Sequence, residues 1–62
     1  MTTDQAKGML LFHKRNARVF RQVANDPTTK KADRERLVLD ADSAEMLAAE
    51  CQAVLQVARM AD

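Results

Sequence analysis

The segment Asn25-Asp26-Pro27 divides this chain in two and sets the plan of anything it can fold into. Pro27 lacks an amide hydrogen and disfavours α geometry at the residue before it. A helix arriving from the N-terminal side must therefore end near Asn25, a residue type that tolerates a left-handed cap. Asp26 or Thr28 is then available to cap a second helix, with Pro27 suited to its first turn.

Helical periodicity is present on both sides of the break. The first helix is expected over about residues 4–25, with Thr3 or Asp4 at its start. Two apolar rows run down it at 3/4 spacing. One is Met9, Phe12, Asn16, Val19 and Val23; the other is Ala6, Leu10, His13, Ala17, Phe20 and Ala24. Together they form one broad stripe. Lys7, Lys14, Arg18, Arg21 and Asn25 mark the opposite face, where Leu11 has no obvious apolar partner. Gly8 disfavours a helix interior by up to about 1 kcal/mol relative to alanine.

The second helix is expected over about residues 29–61, after a turn at about 26–28. Residues 30–36 are almost wholly polar. From Leu37 onward one row reads Leu37, Ala41, Ala44, Ala48, Cys51, Leu55 and Ala58. Another reads Leu39, Met46, Ala53, Val57 and Met60, and Leu47, Val54 and Ala61 lie between them. Only Asp42, Glu45, Gln52, Gln56 and Arg59 form a continuous polar strip. That is more apolar surface than one neighbouring helix covers. Asp42 followed by Glu45 resembles a capping box and would break the helix near 40–43. No Gly or Pro interrupts the stretch, however, and the row from Leu37 to Ala58 stays in phase through it, which favours one helix.

At 62 residues the chain is a single domain with a small core, and such chains commonly need a disulfide, a metal or a partner copy. Cys51 is the only cysteine and His13 the only histidine. No internal disulfide is possible, and a structural zinc would want four such ligands. Oligomerisation remains. The expected fold is all-α, an antiparallel helical hairpin that dimerises into a four-helix bundle. Self-association is expected through Leu37, Leu47, Cys51, Val54, Leu55 and Val57.

Charge is unevenly spread. Residues 1–24 carry five bases (Lys7, Lys14, Arg15, Arg18, Arg21) against Asp4, whereas residues 37–62 carry five acids against Arg59. No apolar run approaches the ~20 residues of a membrane span, and no secretory signal is evident. A lone cysteine then fits a reducing compartment, the cytoplasm. The basic, amphipathic start would suit a transit peptide, but those residues are needed to cover the second stretch. The Ala-, Arg- and Asp-rich composition is associated with a GC-rich bacterial, plasmid or phage gene.

Chemistry-bearing groups are sparse. His13 has no nucleophile or carboxylate partner in the sequence and reads as a boundary residue of the stripe. Cys51 reads as a buried, inert thiol. Asp40, Asp42 and Glu45 lack the Gly and the run of oxygen ligands of a calcium loop. No catalytic residues, cofactor or metal are expected. Lys14, Arg15, Arg18 and Arg21 form the candidate surface for a macromolecular partner. A second basic cluster, Lys30, Lys31, Arg34 and Arg36, is interleaved with Asp33 and Glu35. Asn16, polar within an apolar row, is the type of residue that fixes register in helical cores.

The expected function is that of a small non-enzymatic interaction protein, an inhibitor, adaptor or regulator, that associates with itself and with another protein. The alternative is a nucleic-acid-binding regulator using the basic face of the first helix. Without Tyr or Trp, base stacking is poorly supported. Membrane-surface binding ranks last, since it would strip the first helix from the second. Pairing of the basic face with the acidic strip would favour the protein-binding reading.

Overall fold

The computed structural model describes residues 1–61. It is a hairpin of two helices, α1 (Thr3–Ala24) and α2 (Lys31–Met60), packed side by side in a rod of 49 × 14 × 14 Å. No strand occurs among the described residues.

The two apolar rows of α1 take different roles. Ala6, His13, Ala17 and Ala24 are buried against α2, with Leu10 and Phe20 half-buried beside them. On α2 the matching row is Ala41, Ala44, Ala48 and Cys51, buried, with Leu37, Leu55 and Ala58 half-buried. Both rows repeat at alternating intervals of three and four, so each keeps a narrow seam facing the other helix. Apart from His13 and Cys51, the buried positions of the seam are alanine, which lets the backbones approach closely but buries little apolar area per residue. No large side chain is fully buried among the described residues.

Arg21 bridges the two helices. Its Nε donates to Glu45 Oε1 at 2.8 Å and its Nη2 to Asp42 Oδ1 at 2.9 Å. This pairs a base on α1 with two acids one turn apart on α2, where i and i+3 share a face.

The ends depart from the sequence expectations in three places. Thr2, not Thr3 or Asp4, caps α1: its hydroxyl accepts from the Gln5 amide at 3.1 Å, and Gln5 Oε1 accepts from the Thr2 amide at 2.9 Å. This reciprocal capping box satisfies two orphan donors at once, which neither alternative offers. Asn25 closes α1 in a right-handed conformation (φ −84°, ψ −6°) rather than a left-handed one. Its carbonyl-rich end is served instead by Arg34, whose Nε donates to the Ala24 carbonyl at 2.9 Å and whose Nη2 donates to the Thr29 carbonyl at 3.2 Å.

The third departure is the start of α2. Asp26 Oδ1 accepts from the Thr28 amide at 2.8 Å and from its hydroxyl at 2.6 Å, a local turn that occupies the carboxylate. The Thr29 hydroxyl donates back to the Val23 carbonyl. With both candidate caps engaged in the turn, α2 begins at Lys31, and Lys30 at its N-cap makes no side-chain bond. From there α2 runs unbroken through residues 40–43, as the phase of its inner row implies.

Candidate interaction surfaces

The seam divides the rod into two sides of opposite character. On one side Lys14, Arg18, Arg21 and Gln22 lie across a groove from Glu45, Ala49 and Gln52. Lys7 and Arg59 continue this polar side toward the open end. Arg21 is drawn into its ion pairs: hydrogen bonds to Glu45 and then Asp42 raise its basicity further, and the bond from Arg21 holds the Glu45 carboxyl below its usual range. Lys14, Arg15 and Arg18 make no ion pair among the described residues. The basic face is therefore neutralised at its turn-proximal end and open elsewhere.

Around the outer edge of α1, Leu11, Phe12, Lys14, Arg15 and Arg18 line one open depression. Leu11 is 71 % and Phe12 55 % exposed. The sequence isolates Leu11 as an apolar group without a partner; its pairing with Phe12 follows only when the stripe of α1 splits and Phe12 is left outside the seam.

The other side is apolar along α1, while its α2 half also carries Asp33, Arg36, Asp40 and Glu50. Met9, Phe12, Val19 and Val23 of α1 are exposed, with Asn16 half-buried in their midst. Met9 shares a depression with Met1, Leu47 and Val54, at whose floor lie His13 and Cys51. Val23 shares another with Leu37 and Asp40 near the turn. The back of α2 carries a further apolar row, with Leu39 66 % and Met46 63 % exposed, and Met60 beyond them.

The six residues expected to drive self-association thus separate. Cys51 is buried in the hairpin's own seam, and Leu37 and Leu55 are half-buried along it. Leu47, Val54 and Val57 remain on the surface. Cys51 belongs to the inner row because it continues the interval pattern of Ala41, Ala44 and Ala48. Of the basic candidates, Arg21 is held by acids while Lys14, Arg15 and Arg18 remain accessible. In the second cluster, Arg34 is committed to capping α1.

The sequence reading missed that His13 and Cys51 come to line one depression. The signal was available in the register, since both lie on inner rows of antiparallel helices. No hydrogen bond joins them, and the Phe12 ring lies edge-on to the imidazole at 5.4 Å between centroids. Among the described residues no group of three or more His, Cys, Asp or Glu side chains is arranged to hold a metal ion. No helix among them is long and apolar enough to cross a membrane. Comparison of the chain with known protein families, curated proteins and solved structures gave no match.

Proposed function

We propose that this chain is a small, non-enzymatic helical interaction protein, an inhibitor, adaptor or regulator, that works as a self-associated bundle on a macromolecular partner. One observation carries the reading. The hairpin buries alanines with His13 and Cys51, half-buries Leu10, Phe20, Leu37 and Leu55, and leaves Met9, Phe12, Val19, Leu47 and Val54 exposed. A domain that inverts the usual allocation of bulk gains its core from another surface. The lone thiol, Cys51, suits a reducing cytoplasm.

The partner surface is the outer edge of α1, where Lys14, Arg15 and Arg18 frame Leu11 and Phe12. Bases around an apolar centre suit an acidic protein segment with an apolar anchor. The loss of Arg21 to Asp42 and Glu45 weakens the nucleic-acid alternative. That alternative retains three cations per chain, Lys14, Arg15 and Arg18.

Both readings meet in one experiment. The wild-type chain and the Arg15→Glu/Arg18→Glu variant are tested for retained cellular protein and for binding to duplex DNA and RNA across a salt series. The proposal expects a specific protein ligand lost in the variant, and nucleic-acid binding that is weak and equal in the two chains. Nucleic-acid binding that falls with salt by about −0.9 in log–log slope per phosphate contact, and is lost in the variant, would replace the proposal with its alternative.

A further inference from the structure

The occupant of the apolar side follows from its symmetry. On α1 that side consists of Met9, Phe12, Asn16, Val19 and Val23, a row with no charged residue. Asn16 is its midpoint: Met9 and Val23 lie seven residues to either side, and Phe12 and Val19 four and three. Reversed about Asn16, the intervals 3, 4, 3 and 4 become 4, 3, 4 and 3, so the row is its own complement to within one residue. Laid antiparallel on a second copy, Met9 meets Val23, Asn16 meets Asn16, and Phe12 falls beside Val19 with an offset of about 1.5 Å. Met9 and Val23 stay in step because seven residues are two turns, about 10.5 Å along the axis.

The geometry points to a homodimer in which the α1 helices of two copies pack antiparallel through this row, across a two-fold axis at Asn16, with the turns at opposite ends. This rests on the self-association reading above and specifies its geometry. A side-chain amide is both donor and acceptor, so two Asn16 amides related by a two-fold satisfy each other, the NH₂ of each donating to the oxygen of the other. Any other register leaves each amide against Met, Phe or Val, with its donors and acceptor unmet. A single polar pair of this kind fixes alignment in helical cores.

Two further observations select this arrangement. With turns at the same end, the α1 row would lie over α2 of the second copy and face Asp33, Arg36, Asp40 and Glu50, the charges lining the α2 half of this side. The basic groups Lys30, Lys31 and Arg36 next to the turns would also be brought together. With turns at opposite ends, α1 lies over α1 and α2 over α2, so apolar residues meet apolar residues on α1, the charges of α2 are kept off that row, and the turns are far apart. The outline of the whole rod, 49 by 14 Å, is roughly 700 Å², so contact along the full face, α2 included, is what approaches the ~800 Å² per partner of a standard stable interface. The same arrangement sets both α1 helices side by side, so Arg15 and Arg18 of both copies share one flank.

The test is disulfide trapping in a Cys51→Ala background. Asn16→Cys, equilibrated with oxidised and reduced glutathione at tens of micromolar, should give a disulfide dimer for most of the chain. Leu11→Cys, on the outer edge of α1, should stay mostly reduced. The wild-type chain gives the same reading without substitution: in a mixture of labelled and unlabelled copies, isotope-filtered NOEs should connect the Phe12 ring of one copy to the Val19 methyls of another. A dimer by sedimentation that shows neither the trapped disulfide nor these NOEs overturns this geometry while self-association stands. A monomer by sedimentation overturns both.

Discussion

Replacing Ala41 by leucine tests whether alanine is required in the seam or merely tolerated there. Ala41 is wholly buried between the helices and borders none of the open grooves along the rod. Leucine adds three carbons. If the seam had room for them, their burial would stabilise the fold by about 0.8 kcal/mol per CH₂, or about 2 kcal/mol in all. If the backbones are as close as the run Ala41, Ala44 and Ala48 implies, the added carbons force the helices apart at a cost of about 1–3 kcal/mol. The two cases differ in sign, and helix propensity does not blur them, since alanine and leucine are both strong helix formers. Thermal unfolding followed by circular dichroism at matched chain concentration is the assay, because the proposed self-association would make the midpoint concentration-dependent. In a domain of this size about 1 kcal/mol shifts Tm by about 4–8 °C, so Ala41→Leu should lower Tm by at least that much. Ala49→Leu, on the exposed polar side, should shift stability by no more than about 0.5 kcal/mol. A rise in Tm for Ala41→Leu would refute the close-packed seam.

Three further outcomes follow from the same structure. Glu45 and Asp26 are both held below their usual carboxyl values, Glu45 by the bond from Arg21 and Asp26 by bonds from the Thr28 hydroxyl and amide. A group depressed in the folded state contributes stability above its ordinary pKa, about 4, and loses it as pH falls through the depressed value. The contribution of these two carboxylates is therefore complete well above about pH 4 and is lost below it, so Tm should drop below about pH 4, and Glu45→Gln should reduce that drop. Arg34→Ala removes both bonds from Arg34 to the turn carbonyls; it should destabilise by about 1 kcal/mol and speed amide exchange at Asn25 and Asp26. Gly8→Ala should stabilise by about 0.5–1 kcal/mol in a denaturant titration, because a Cβ there meets nothing within 4 Å.

The hairpin itself was legible because Pro27 and two periodic stretches leave few alternatives. The continuity of α2 was legible from the phase of Leu37 through Ala58. The caps were not. Thr2, Thr3 and Asp4 are all competent N-caps, and only the reach of Gln5 back to the Thr2 amide decides among them. Asp26 and Thr28 were assigned to α2 but bond each other, a competition between turn and cap that composition does not resolve.

The surfaces were legible only in part. The sequence lists two apolar rows on each helix but does not say which row faces inward. On α1 both rows have 3/4 spacing, and the row richer in alanine went inside because it permits close approach. That choice left Phe12 outside and put Cys51 inside. The pairing of Arg21 with Asp42 and Glu45 depends on register, which the opposite charges of the two stretches suggest without fixing.

The central claim is that this hairpin completes its core with a second copy. Sedimentation equilibrium at tens of micromolar chain measures it most directly. The account predicts a mass twice the 6.9 kDa of one chain, with dissociation and loss of helicity occurring together on dilution. A stable 6.9 kDa species that unfolds cooperatively, at a midpoint independent of concentration, would contradict it.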